Sequence, residues 1–251
     1  MEPLLTKVSL LLAIALQVFI LRLLIKRKLQ QRFLWFLCYI VYALIEEVLR
    51  ISVSGNIILY TRVYWWTEIG DLLLSVMAVR ESFLNMFRPY TRLRSFLLLI
   101  WSSVGVALLY AGFRAAFFPP FHATRQAAIV IGLETAVDYS LAAVGILYFA
   151  LLSFFRIRER RWEIGIVSGF TINAIFAVLG VLIISIFRKK FSLLSEWIPA
   201  VAYIIAELEW AVSLSRPEIV AHQVLPKVTA EDLRTLERYK ETLQKFLGRK
   251  P

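Results

Sequence analysis

The sequence predicts an all-α integral membrane bundle of seven transmembrane helices. Hydrophobic residues make up 59% of the 251 residues and charged residues only 19%, with a mean hydropathy of +0.70. Seven apolar stretches each approach or exceed the roughly 20 residues that a bilayer-spanning helix needs. Lipid is therefore the predicted solvent of residues 1–217, which form one transmembrane domain, and a polar tail of residues 218–251 follows.

The boundaries of the spans follow from polar and aromatic residues at their ends. Leu24 and Ile25 run directly into a basic triplet without a small-residue cleavage site, so the first span is predicted to be a retained helix rather than a secretory signal. Tryptophans lie near the starts of the second, third, sixth and seventh spans, where such rings anchor at lipid headgroups. The predicted spans are, in order, 4–25, 33–51, 63–87, 93–113, 126–155, 163–187 and 197–215.

Basic residues in the connecting loops predict the orientation, because they favour the cytoplasmic side. One set of alternate loops carries eleven: Lys26, Arg27, Lys28, Arg32, Arg88, Arg92, Arg94, Arg156, Arg158, Arg160 and Arg161. The other set carries seven: Arg50, Arg62, Arg114, Arg125, Arg188, Lys189 and Lys190. The bias predicts an external N-terminus and a cytoplasmic C-terminus in a multi-pass protein of the plasma membrane or the cell inner membrane.

Charge and rare residues exclude several functions. The net charge of +11 is predicted to face anionic inner-leaflet lipid, and no aromatic-basic module indicates nucleic-acid binding. Cys38 is the single cysteine, so no intrachain disulfide forms. His122 and His222 are the only histidines, which leaves no material for a histidine metal site or a catalytic triad. We therefore expect no cofactor and no metal, and an enzyme ranks third among the functions considered.

Matching features recur at nearly constant spacing along the chain. Two basic loops, 27–32 and 156–161, each precede an aromatic residue at an offset of 129. An offset of 128 pairs Arg88-Pro89 with Arg216-Pro217, Glu68 with Glu196, and Glu81 with Glu209. One interpretation is a 3+1+3 parallel repeat, as in some transporters, with a site between the halves. The other is that basic loops and prolines recur at inner boundaries through topology alone.

Three membrane families resemble parts of this pattern. Microbial rhodopsins are similar in layout but attach retinal to a lysine in helix seven, and no lysine occurs between Lys190 and Lys227. SWEET-type sugar carriers are similar in topology, yet their Pro-Gln pair is absent. The segment 46–50 resembles the Glu-Glu-x-x-x-Arg element of CAAX-type intramembrane proteases but is one residue shorter. A histidine that this family also requires is missing from the sequence. The alternative for Glu46 and Arg50 is an ion pair one helical turn apart. Layout does not assign function.

Acidic residues within the spans are the main candidates for a functional site, because ionisable groups there are costly and normally face the bundle interior. The third span carries a polar stripe of Glu68, Asp71, Ser75, Ser82 and Asn85. The predicted ligand- or cation-binding residues, at similar depth in the outer half, are Glu46, Glu68, Asp71, Glu134 and Asp138, with a deeper secondary polar site at Tyr203 and Glu207. Like charges in one low-dielectric site cannot all ionise, so a proton or cation is expected there. The alternative is that these residues act only as interhelical hydrogen-bond partners.

Two further segments have packing or surface roles. Gly165, Gly169, Asn173 and Ala177 recur every fourth residue and predict a close helix approach, within or between protomers. In the tail, Thr229 caps a predicted amphipathic helix that ends at Gly248. Its apolar stripe is predicted to lie on anionic inner-leaflet lipid or, alternatively, to pair as a short coiled coil in a homo-oligomer.

Two functions of different classes remain. In the first, a receptor-like or sensory protein binds a small cationic ligand or a proton in the acidic outer-half pocket and signals to a cytoplasmic partner. In the second, a carrier or channel moves protons, cations or a small solute past the same carboxylates. A true repeat favours the second, and flux through the purified protein separates the two.

Overall fold

The computed structural model describes residues 2–88, 125–155, 157, 161–187 and 192–218, and positions 98, 101, 102, 104–106, 109, 113 and 117. Side chains are not described at 2–8, 125–128, 181, 182, 184–187 and 192–196. Most of the predicted span 93–113, the Pro119-Pro120 loop, both histidines and the tail helix lie outside these residues. Residues 1–218 form one compact unit.

The described part of the chain is all-α and contains no strand. Six long helices correspond to the first, second, third, fifth, sixth and seventh predicted spans, and one 3-10 helix follows the first. The elements are α1 Glu2–Lys26, the 3-10 helix Leu29–Gln31, α2 Leu34–Val53, α3 Ile57–Phe87, α4 Arg125–Phe154, α5 Trp162–Phe187 and α6 Ser192–Ser215.

Four of these helices contain a stretch long and apolar enough to cross a membrane. The stretches are Ser9–Lys26, Ile129–Phe154, Trp162–Gly180 and Trp197–Ser215, in α1, α4, α5 and α6. Helices α2 and α3 carry acidic and basic residues along their length, including Glu46, Glu47, Arg50, Glu68 and Asp71. The four apolar helices show that the chain is a membrane protein with transmembrane helices.

Helix α3 is longer than predicted at its N-terminus. It begins at Ile57 rather than at residue 63 because Asn56 caps it: the side-chain oxygen accepts hydrogen bonds from the amides of Ile58 and Leu59, both at 3.2 Å. Helix α6 likewise begins before the predicted residue 197, and Pro199 lies inside it. The remaining boundaries agree with the predicted spans to within two residues.

Each described helix contacts the next, and α6 returns to α1, so the six close a ring; α3 also contacts α5. Helices α3 and α4 run parallel. Phe83 packs edge-to-face against Tyr148 with ring centroids 5.5 Å apart, and the ring centroids of Phe87 and Phe155 lie 6.3 Å apart. The C-terminal ends of α3 and α4 therefore lie at the same end of the bundle, and the N-terminus of α4 lies at the other. Residues 88–124, which join the end of α3 to the start of α4, thus connect opposite ends of the bundle. We call the end with the α1–α2 connection the basic end and the other the acidic end.

An aromatic layer from three helices fills the middle of the bundle. Phe36 and Tyr39 of α2 meet Phe170 of α5 and Trp210 of α6, with edge-to-face centroid distances of 4.9–6.1 Å for the contacts of α2 with α5 and α6. The Trp210 indole donates to the Ile166 carbonyl at 3.0 Å. The indole fits there because residue 169 is a glycine; a β-carbon at Gly169 would overlap the ring.

The small-residue ridge is confirmed at two of its positions. A β-carbon added at Gly165 would overlap the Ser213 hydroxyl, and one at Gly169 would overlap Trp210. Both contacts lie between α5 and α6 of the same chain. The close approach therefore operates within the bundle.

Candidate functional site

Arg50 is the centre of a charged cluster at the acidic end. Its Nη2 contacts the Glu46 carboxylate one turn earlier on α2 and lies 2.9 Å from Glu68 Oε2 on α3. The guanidinium also donates to the Thr67 hydroxyl and lies 4.3 Å from the Tyr64 ring centroid. The predicted Glu46–Arg50 pair is confirmed.

The other three predicted acids face the same region. Glu134 of α4 interacts electrostatically with Glu68 and Arg50, and Asp138 does so with Glu134 and Glu68. Asp71 of α3 interacts with Glu46, Glu68 and Asp138. We call this set the acidic cluster: Glu46, Arg50, Glu68, Asp71, Glu134 and Asp138.

Charge in the acidic cluster is unbalanced. Five carboxylates from α2, α3 and α4 interact electrostatically with one another, and two of them, Glu46 and Glu68, contact the Arg50 guanidinium. Arg62 is exposed. Glu46 is only 6% exposed, so water cannot screen its charge fully. A bound proton or cation would offset the repulsion between these carboxylates.

A second polar group lies between α1, α2 and α6. The Gln17 side chain is fully buried, and its Nε2 donates to Glu47 Oε1 at 3.1 Å and to the Tyr203 hydroxyl at 2.9 Å. Glu207 stands one turn after Tyr203 and interacts with Gln17, Tyr203 and Glu47. We call this set the acceptor cluster: Gln17, Glu47, Tyr203 and Glu207. It contains both residues of the predicted secondary site.

Glu207 is the most unusual member of the acceptor cluster. It is fully buried and lies close to Gln17 and Tyr203, yet neither carboxylate oxygen makes a hydrogen bond of good geometry to a residue in the described part of the chain. Gln17 Oε1 and Glu47 Oε2 are also buried without a partner there. Buried polar atoms are normally hydrogen-bonded, so four unsatisfied acceptors in one place indicate a missing donor.

Asp71 and Tyr39 connect the two clusters. The Tyr39 hydroxyl is buried beside Tyr203 and interacts with Asp71 and Glu207, while Asp71 interacts with Glu68 and Glu46 of the acidic cluster. Polar groups therefore extend from the acidic end to the middle of the bundle. The rings of Phe36, Phe170 and Trp210 pack tightly around Tyr39 at that depth.

No group of three or more His, Cys, Asp or Glu side chains suited to holding a metal ion occurs among the described residues. The two clusters are built from carboxylates, an amide, phenols and one guanidinium. These groups can bind a proton or a cation by charge and hydrogen bonds. They contain no nucleophile activated by a base.

No protein-family model, curated protein or solved structure matches the chain.

The basic end is held together by a network that sequence reasoning missed. Arg32 lies 2.6 Å from Glu163 and 2.7 Å from Glu218, and its guanidinium carbon is 5.5 Å from the Trp162 ring centroid. Partial burial alone would lower the pKa of Arg32, but hydrogen bonds and charges from Glu218 and Glu163 raise the pKa above its usual value. Arg32 is therefore charged at any working pH.

Two further contacts complete this basic-end network. Arg27 donates to the backbone carbonyls of Ser215 and Arg216 at the end of α6. Glu81 of α3 accepts hydrogen bonds from the first amides of α2, with Leu34 at 3.0 Å and Trp35 at 2.9 Å. A carboxylate at a helix N-terminus satisfies free amides and the helix dipole. Loops and helices from both halves of the chain are thus joined at this end.

The polar stripe predicted on α3 divides between these sites. Glu68 and Asp71 lie in the acidic cluster, whereas the Asn85 amide donates to the Arg32 carbonyl at 2.7 Å in the basic-end network. Ser75 donates a hydrogen bond to the Leu72 carbonyl of its own helix. Helical spacing identified one face correctly, but that face serves two different ends of the bundle.

Gln17 and Glu47 were not among the predicted site residues. A signal for Gln17 did exist, because it is an isolated amide within an otherwise apolar stretch from Leu10 to Leu21. A polar residue in such a setting normally faces the bundle interior. Glu47 had been considered only as part of a protease-like motif.

Proposed function

We propose that this chain is a receptor-like membrane protein that binds a small cationic ligand or a proton at its acidic end. The observation that carries the proposal is the acidic cluster, in which five carboxylates from three helices interact with one another and the Arg50 guanidinium pairs with two of them, Glu46 and Glu68. A bound cation or proton offsets their repulsion. The buried and unsatisfied Glu207 is a second, independent indication of a ligand.

Closure of the opposite end favours a receptor. The basic-end network joins the α1–α2 connection to α5 and α6 through Arg32, Glu163 and Arg27. On the side of this network that faces the acidic end, the aromatic layer around Trp210 separates the polar clusters from the basic end. A ligand entering from the acidic end is then stopped by this packing, and its effect reaches the other side through helix movement. The cytoplasmic loops and tail would transmit that movement to a partner protein.

A carrier is the second candidate, and the pairing of helix contacts favours it. The contacts of α1 with α2, α2 with α3, and α3 with α4 have counterparts in α4 with α5, α5 with α6, and α6 with α1. A 3+1+3 repeat produces this pattern and places a site between its halves. One observation counts against the repeat. Glu81 and Glu209, which the repeat would pair, have different partners: Glu81 caps α2, while Glu209 interacts with Arg216.

We also infer seven membrane crossings with an external N-terminus and a cytoplasmic C-terminus. Parallel α3 and α4 require residues 88–124 to return across the bundle, and the sequence predicts an apolar span at 93–113 within them. Arg27, Arg32 and Arg216 lie together at the basic end, which the positive-inside rule places on the cytoplasmic side. The acidic cluster would then open to the outside of a plasma or inner membrane.

Purified full-length protein in liposomes tests both candidates. Methylammonium, guanidinium, sodium and protons serve as probes, with binding followed by thermal unfolding and transport by uptake into the vesicles. A receptor is expected to bind at least one probe without transporting it. Uptake above that of empty liposomes would replace the receptor with the carrier. Absence of both binding and uptake for all four probes would contradict the cation-site proposal.

A further inference from the structure

The acceptor cluster has a chemical composition that specifies the kind of ligand it lacks. Its unsatisfied buried atoms are Gln17 Oε1, Glu47 Oε2 and both carboxylate oxygens of Glu207. With Glu47 and Glu207 ionised, all four are hydrogen-bond acceptors. A neutral apolar ligand would leave them unsatisfied, and a ligand rich in acceptors would increase the deficit.

The donors of the cluster are already in use. Gln17 Nε2 makes hydrogen bonds to both Glu47 and Tyr203. The Tyr203 hydroxyl accepts one of those bonds and has a single proton to donate. Arg50 is the cation that interacts with Glu47, but its guanidinium is bonded to Glu46 and Glu68. The protein groups described around this cluster therefore leave at least three acceptor atoms to be satisfied from outside.

We propose that the acceptor cluster binds a small organic cation with several N–H donors, such as a primary ammonium or a guanidinium group. Glu207 and Glu47 supply negative charge, and Gln17 Oε1 supplies a neutral acceptor. The proposal rests on the proposed function and names its ligand class. It adds a second, deeper binding position in the middle of the bundle, which a cation attracted by the acidic cluster would reach.

The arrangement of charge supports a route to this position. The acidic cluster attracts cations to the acidic end, and Asp71 and Tyr39 continue the polar surface toward Glu207. Beyond Glu207, the buried indole of Trp210 one turn later closes the path. Metal binding is disfavoured because the described side chains form no suitable group of three ligands.

The test compares cations of equal charge that differ in N–H donors. Methylammonium and guanidinium carry such donors, whereas tetramethylammonium carries none. Binding to the full-length protein in nanodiscs is measured by calorimetry, at concentrations below those at which guanidinium weakens apolar burial. The two donor cations are expected to bind at least about tenfold more tightly than tetramethylammonium. Equal binding of all three would overturn the proposal.

A matched pair of variants on one helix locates the site. Glu207→Gln keeps the side-chain volume but removes the charge, and is expected to weaken methylammonium binding roughly ten- to a hundredfold. Glu209→Gln, two residues later, makes the same chemical change outside the cluster and should bind as the parent does. Glu47→Gln keeps the acceptor for Gln17 and provides a second variant should Glu207→Gln fail to fold. Unchanged affinity in both cluster variants would refute the assignment.

One further variant separates this inference from the proposed function. Asp138→Asn changes the acidic cluster alone. Strong loss of binding in Asp138→Asn with parental affinity in Glu207→Gln would place the ligand in the acidic cluster, leaving the proposed function intact and overturning the inference. No binding of any probe to the parent would refute both.

Discussion

Arg32 Nη2 lies 2.6 Å from Oε1 of Glu163, a residue 131 positions further along the chain. Glu163 is 1% exposed, and the same guanidinium reaches Glu218 beyond the end of α6. This contact ties the first connection of the bundle to the start of α5 and to the chain after α6. It is the main ionic contact of the basic end.

Removal of Arg32 is predicted to destabilise the bundle. Arg32→Gln leaves the buried Glu163 carboxylate without its cation, at a cost of about 2 kcal/mol; this is below the value for a fully buried pair because Arg32 is partly exposed. Thermal unfolding of the purified protein measures the effect. Arg88→Gln, at an exposed arginine of the same end, is the control. Equal unfolding midpoints for the two variants would contradict this role of Arg32.

Local patterns in the sequence predicted contacts within one helix or between neighbours. The spacing of Glu46 and Arg50 predicted their ion pair, and the four-residue spacing of Gly165 and Gly169 predicted a close approach. Arg32 and Glu163 could not be paired in this way. Their contact depends on how distant helices rotate and pack, which no local pattern records.

The same limit explains the candidate site. Helical spacing placed Glu68 and Asp71 on one face, and the structure brings that face toward Glu134 and Asp138. The acceptor cluster could not be predicted as a unit, because Gln17 and Tyr203 are separated by 186 residues. Long-range contacts of this kind arise from packing of the whole bundle.

Arg50 is predicted to be essential for a stable acidic end. Arg50→Gln leaves Glu46 and Glu68 facing each other without a cation, which should cost about 3 kcal/mol or more. Arg50→Lys retains the charge but cannot bond to both carboxylates and Thr67 in the same geometry, so an intermediate loss is expected. The exposed Arg62→Gln serves as control in thermal unfolding. A midpoint of Arg50→Gln equal to that control would show that the pair contributes no stability.

Gly169 is predicted to tolerate no side chain. A β-carbon there overlaps the Trp210 indole, which must move and lose its bond to the Ile166 carbonyl. Gly169→Ala should therefore cost about 1–3 kcal/mol. Gly55→Ala is the matched control, because nothing lies within 4 Å of a β-carbon at Gly55. A stability of Gly169→Ala like that of the control would mean that α5 and α6 adjust freely at this contact.

The inferred topology predicts the positions of two reporters. A reporter fused after Pro251 should be cytoplasmic, and one inserted between Pro119 and Pro120 should be external, because the basic end follows the positive-inside rule. Paired alkaline phosphatase and fluorescent protein fusions read the two sides independently. The reverse pattern would place the acidic cluster on the cytoplasmic side.

Cation-dependent thermal stability of the purified full-length protein tests whether the acidic cluster binds a cation. A saturating small cation is expected to raise the parent's unfolding midpoint by about 5 °C or more. Asp71→Asn and Asp138→Asn should reduce that shift, because each removes one of the charges that the cation offsets, while Glu209→Gln should retain it. If the parent and both Asn variants melt alike at every cation concentration, the acidic cluster binds no cation and the account is wrong.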